Sequence, residues 1–277
     1  MFLLLAVGPV VLGLGYALLY SLGLVGLLGR GFTLEHWGAV VTSADFWEAL
    51  GLSTFIAAVT ITISTVLALS AVLRWREHTL RGLRTYAFYL PLALPATVVA
   101  FLIFQWLGNA GLLSRLAFAL GLTSSTTDFP TLINDRWGTG IIVAHTLMAT
   151  PFLTIFLANL YRSERVREVS QVAATLGLPP GAVARRLVIP LLLRQGRSTL
   201  LLYAVFVFSS YEIPLLLGSQ SPAMLSVLTI RKLQRYNLAD IPQAYVISVL
   251  YALLLVAVLF LWLGWSRYRR NTVLHET

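Results

Sequence analysis

The chain of 277 residues contains no cysteine, a single lysine and few charged residues of any kind, 11% in all. Without cysteine it can form no disulfide framework, thiolate metal site or cysteine nucleophile. The lysine, Lys232, lies among Thr229, Ile230, Arg231 and Leu233 with no glycine-rich phosphate loop beside it. If ATP and its Mg serve this chain, a partner must bind them. The four histidines, His36, His78, His145 and His275, are scattered, and no two have metal-ligand spacing. Neither G-x-S-x-G nor H-E-x-x-H occurs, and no helix face carries paired carboxylates. The expectation is a chain with no catalytic residue, no metal and no cofactor of its own.

What it has instead is apolar surface. Hydrophobic residues make up 58% of the chain and the mean hydropathy is +0.82, more than a soluble core of this size can bury. The fold class expected is all-α, a polytopic membrane protein with six transmembrane helices. The spans fall at 2–28, 51–73, 85–106, 139–160, 198–217 and 244–266. The first has no basic residue ahead of it and reads as a retained span, not a signal peptide. Pro91 and Pro95 predict a kinked third span. Organised this way, 1–30 is the first helix and 31–50 an external lead-in with Trp37, Phe46 and Trp47 at interfacial spacing. A five-helix core follows at 51–266, with a loop at 161–197, and 267–277 forms a tail.

The formal charge of +9 might suggest nucleic acid in a soluble protein, but its distribution argues otherwise. The loops 74–84 and 161–197 and the tail hold fourteen arginines, Arg74, Arg76, Arg81, Arg84, Arg267, Arg269 and Arg270 among them. The opposite side holds six basic residues, including Arg30. Basic residues gather on the cytoplasmic side of membrane proteins. The loop 161–197 and both termini are therefore expected inside, in a multi-pass protein of the plasma (bacterial inner) membrane that contacts lipid and no nucleic acid.

One loop carries more order than a connection requires, the run from Glu168 to Pro190, EVSQVAATLGLPPGAVARRLVIP. Val166 to Leu176 predicts a helix, with Val169, Val172 and Leu176 beside the small pair Ala173 and Ala174. Gly177 stands where a helix end needs positive φ, and Pro179 and Pro180 suit the first turn of a second short helix. Pro190 marks the entry to the next hydrophobic block. Two alanines, a glycine three residues on and a proline about a dozen residues later resemble the EAA loop of the permease subunits of ATP-binding-cassette importers. Val172 stands where glutamate is usual, with Glu168 one turn earlier.

That resemblance covers nearly the whole chain, and it implies a MetI-like (type I importer) permease fold. It implies as partners a second permease, identical or related, two ABC ATPase subunits and an external or periplasmic solute-binding protein. Glu168, Ala173, Ala174, Gly177 and Pro190 would then couple the chain to the ATPase. A second stretch, Ser209 to Gly218, looks like a segment of the polyamine, iron(III), sulfate and thiamine permease group, with Pro214 one residue closer to the acid than usual. Glu212, an ionisable residue within a span, marks a candidate solute path, with Tyr211, Ser210 and His145 near it in the expected bundle. Pro214 is expected to break the fifth span beside that carboxylate. On these grounds the solute is a small hydrophilic one, with a lean toward a cation such as a polyamine, iron(III) or thiamine. The alternative is a secondary transporter or channel driven by an ion gradient, which would need internal repeats or several buried charges.

Overall fold

The computed structural model describes residues 2–26, 31–80, 82–125 and 128–274. Arg30, Arg81, Thr126, Thr127 and His275 lie outside the described residues, as do the side chains of Arg84, Arg267, Arg269 and Arg270. Among the described residues every regular element is helical.

The chain forms two compact units, 1–50 with 225–277, and 51–224. The first contains α1 (Phe2–Ser21), α2 (Glu35–Val41), α12 (Leu225–Gln234) and α13 (Asp240–Leu274). Helix α1 packs on α13 through Tyr16, Tyr20 and Tyr245, with the rings of Tyr20 and Tyr245 4.4 Å apart. Buried Lys232 on α12 donates to Oε1 of Gln243 on α13 at 2.8 Å, so the one lysine is structural.

The second unit is built on two long helices, α3 (Ala44–Trp75, which starts in the first unit) and α7 (Thr139–Ser163). Asp135 starts α7, its carboxylate accepting from Thr139 N at 2.8 Å and Thr139 Oγ1 at 2.7 Å. Gly138, at φ +66, sits so close to Ile56 that a Cβ would approach Ile56 Cδ1 to 2.6 Å, which requires glycine there. Between α3 and α7 lie α4 (Leu83–Tyr89), α5 (Ala96–Leu107) and α6 (Leu112–Ala119). After α7 come α8 (Val166–Thr175), α9 (Pro180–Val183), α10 (Ile189–Phe208) and α11 (Glu212–Leu217).

Five stretches are long and apolar enough to cross a membrane: Ala44–Trp75, Ala96–Ala119, Thr139–Ser163, Pro180–Phe208 and Asp240–Trp262. Helix α1 adds a shorter apolar stretch, Val7–Ser21. Two expected spans shift. In place of a single kinked helix over 85–106, Pro91 and Pro95 end one helix and start another. Leu94 is extended (ψ 132) ahead of Pro95, which stands at the N-terminus of α5. The fifth span runs about ten residues earlier than expected, ending at Phe208 instead of Leu217. Arg194 and Arg197, which read as loop, lie on α10, where long arginine stems can follow an apolar helix to its polar end.

The lower half of this unit shares one core. Ala68, Leu69 and Val72 of α3, Leu153, Leu157, Ala158 and Tyr161 of α7, Val166 and Ala173 of α8, Val183, Val188 and Leu192 bury against each other. Leu192→Ala is expected to cost about 2–5 kcal/mol, the usual cavity penalty for a fully buried leucine. A lowered unfolding midpoint of the purified chain in detergent checks this.

Candidate functional site

The loop 161–197 folds as the helix pair its sequence predicts. Helix α8 ends at Thr175 with Leu176 as its C-cap, and Gly177 takes φ +83. Gly177 N donates to Ala174 O at 3.0 Å and Leu178 N to Ala173 O at 3.2 Å. This is the paired closure known as the Schellman motif, and it turns the chain back sharply. Pro179, extended at ψ 150, then leads into Pro180 at the start of α9.

From Pro180 the chain stays helical to Phe208. A π-helical turn over Ala184–Val188 precedes Pro190, which has no N–H and whose ring crowds the carbonyl four residues back. Widening the turn by one residue accommodates that missing bond without breaking the helix. Pro190 therefore lies inside a continuous rod, not at a boundary between a loop helix and a span.

Helix α8 has two unlike sides. Val166 and Ala173 (5% exposed) are buried in the shared core, so the small size of Ala173 serves packing within the chain. Val169, Val172 and Leu176 are 43%, 61% and 77% exposed and form an apolar stripe open to the surroundings among the described residues. Glu168 is also exposed, at 3.9 Å from Arg165, an ion pair that contributes little at the surface. Ala174 faces neither core nor stripe and lines a pocket of about 510 Å³ between α8, α9 and the end of α3.

Of the path residues, the structure brings two together. His145 Nε2 and Ser210 Oγ lie 2.9 Å apart, linking the second turn of α7 to the three residues 209–211 that separate α10 from α11. His145 is fully buried, and its Nδ1, with the Oγ1 atoms of Thr146 and Thr150, has no hydrogen-bond partner among the described residues. Thr60 and Ser64 on the buried face of α3 are alike in this. Tyr211 is half-buried, while Glu212 is exposed at the start of α11. The break falls before Glu212 and not at Pro214, because Pro214 sits in the first turn of a new helix, where proline is tolerated. Among the described residues no cluster of three or more histidines, cysteines or acids could hold a metal ion.

Sequence reasoning did not find Thr146 and Thr150 as polar groups, nor the pocket behind α8. Hydroxyl residues in an apolar helix carry no signal of which way they face, and the pocket joins segments about 90 residues apart.

Three similarities bear on this geometry. The model of the family described as binding-protein-dependent transport system inner membrane component matches residues 67–271. Curated relatives include the molybdenum transport system permease protein ModB of Mycobacterium bovis and that of Mycobacterium tuberculosis. Each is 32% identical over 158 residues, 56% of this chain and 55% of the relative. The chain thus spans about half the length of the curated relatives it matches. A solved bacterial ABC transporter involved in import of the acidic polysaccharide alginate superposes with a TM-score of 0.75 over 96% of this chain and 91% of that one. At 14% identity that likeness concerns the fold alone.

The hydrogen bond between His145 and Ser210 is expected to give a coupling of about 0.6–1.7 kcal/mol in a double-mutant cycle of His145→Ala and Ser210→Ala. Unfolding of the four proteins in mixed micelles measures it, and additive effects would mean that the contact contributes nothing.

Proposed function

The chain belongs to the binding-protein-dependent transport system inner membrane component family, and from that premise we propose that it is the permease subunit of an ATP-driven importer, coupled to a separate ATPase through α8. The observation that carries this is the stripe Val169, Val172 and Leu176. It is exposed on a helix whose adjoining face is locked into the chain's own core. An apolar helix face of this kind suits a groove in a soluble partner. Motion of the partner reaches α3, α7 and α10 because the hairpin and those helices share side-chain packing.

A second permease, identical or related, completes the path, and an external solute-binding protein delivers the solute. The fourteen arginines of 74–84, 161–197 and the tail support a cytoplasmic hairpin and cytoplasmic termini. Gly177 sets the turn between the docking helix and the rod that carries Pro190 toward the span, Ala174 lies on the pocket side of the docking helix, and ATP and Mg reside on the ATPase.

For the solute we favour an oxyanion of the molybdate class over the polyamine, iron(III) or thiamine suggested by the sequence. Two relatives are named for molybdenum transport. The described buried polar side chains of 51–224 are hydroxyls and His145, with no acid to balance a cation, and Glu212 is exposed. Neutral donors suit an anion that must pass without being trapped.

Val172→Arg is expected to weaken ATPase retention on copurification by about tenfold or more, the equivalent of about 1.4 kcal/mol, with an unchanged unfolding midpoint since the site is exposed. A chain that purifies alone and transports without ATP would return the gradient-driven reading. In whole cells, labelled molybdate uptake that unlabelled tungstate suppresses, and putrescine, iron(III) or thiamine does not, supports the oxyanion; the reverse pattern restores the cation. Gly177→Leu, strained by φ +83 although a Cβ meets nothing within 4 Å, is expected to lower transport per ATP hydrolysed more than stability.

A further inference from the structure

We propose that the pocket behind α8 is a binding site for a phosphate-bearing anion, and that its occupant in the membrane is the headgroup of an anionic phospholipid. Arg76, His78 and Arg167 line it, and no described side chain lining it is acidic. Its volume of about 510 Å³ is that of a small-molecule site. The remaining wall is largely apolar, with Leu73, Tyr161 and Val188 from three different segments. A free anion has no use for such a wall, whereas an amphiphile places its phosphate on the arginines and its glycerol and upper chains against leucine and valine.

The backbone that presents Arg76 is built. Arg76 follows the end of α3 at φ +49, a left-handed conformation that costs a non-glycine residue about 1 kcal/mol. Fully buried Thr79 holds the turn, donating to Arg76 O from Oγ1 at 2.6 Å and from N at 3.2 Å. The level is that of a membrane surface: Trp75, paired with Phe88 at 6.0 Å, and Tyr161 close the apolar parts of α3 and α7.

The pocket and the docking stripe do not compete. At about 100° per residue, Arg167 and Ala174 project nearly opposite to Val169, Val172 and Leu176 around α8. An ATPase on one side and a lipid on the other can hold the helix together. A bound headgroup would tie the end of α3 to the hairpin and stiffen the coupling joint.

The test is titration of the purified full-length chain in mild detergent with phosphatidylglycerol or phosphatidylcholine, read by native mass spectrometry. Phosphatidylglycerol is expected to bind more tightly, and Arg76→Gln and Arg167→Gln each to weaken it about fivefold, the equivalent of about 1 kcal/mol per basic residue at an anionic surface. Arg186→Gln removes the same charge from an exposed position outside the pocket and is expected to change nothing. Ala184→Trp, which fills the pocket, is expected to abolish tight binding while Arg76→Gln keeps the native unfolding midpoint. Equal losses in the Arg76 and Arg186 variants, or equal binding of the two lipids, would overturn the site. Displacement of phosphatidylglycerol by inorganic phosphate at comparable concentration would overturn the lipid as occupant. The readout needs neither solute, ATP nor a particular orientation, so failure of the importer reading would leave it intact.

Discussion

The constraint on which the second unit depends is that the ten-residue helix α8 shares its core with the two long apolar helices α3 and α7. Val166 and Ala173 of α8 bury with Val72 of α3 and Leu157 and Tyr161 of α7. A helix this short has no independent stability in water, so its existence as a helix is a consequence of that packing. The same packing makes the hairpin and the lower halves of α3 and α7 one body. Close-packed interiors transmit displacement with little loss, since side chains in rotamer wells shift together or not at all. What would otherwise be a connecting loop thus becomes a handle.

The other end of the handle is α10. With Pro190 absorbed in a π turn, the rod from Pro180 to Phe208 passes from the hairpin into the membrane without a joint. The joint comes at 209–211, where Ser209 turns its hydroxyl back to Val205 O at 2.6 Å and the helix stops. Ser210, in that joint, is held to buried His145 of α7. A rod that ends in a short non-helical segment tied to a neighbouring helix places any hinge at that segment. Phe152 stacked on Tyr203 at 5.2 Å keeps α7 and α10 together below the hinge.

How far the sequence could be read depended on how local each signal was. The start of α8, its end at Gly177 and the turn through Pro179 and Pro180 are set by residues within a few positions of each other, and all were legible. The third and fifth spans were misplaced because hydropathy reports apolar length, not backbone continuity. Pro95 divides an apolar run, and Arg194 and Arg197 hide the first turns of α10. The contact between His145 and Ser210 joins residues 65 apart, and nothing in either neighbourhood names the other. Glu212 drew attention as an acid in an apolar stretch, yet it is exposed at a helix start, where a negative side chain meets the positive end of the helix dipole. Of the hydroxyls of α3 and α7, Thr60, Ser64 and Thr154 are fully buried, and which of them face inward is set by packing.

Position 172 shows how a departure from a familiar pattern can leave its physics in place. A glutamate is usual there, and Val172 puts a methyl-bearing side chain at the centre of the exposed stripe. Glu168 precedes it by four residues, about 40° away around the helix, so its carboxylate flanks the same face one turn nearer the N-terminus. Its ion pair with Arg165 is long and solvent-exposed, so little holds the carboxylate from a cationic group on a partner. Relative to the familiar pattern, the exposed face of α8 keeps an acid one turn earlier and gains apolar area. A partner shaped to this chain would place its basic group one turn closer to Arg165 and present an apolar surface opposite Val172.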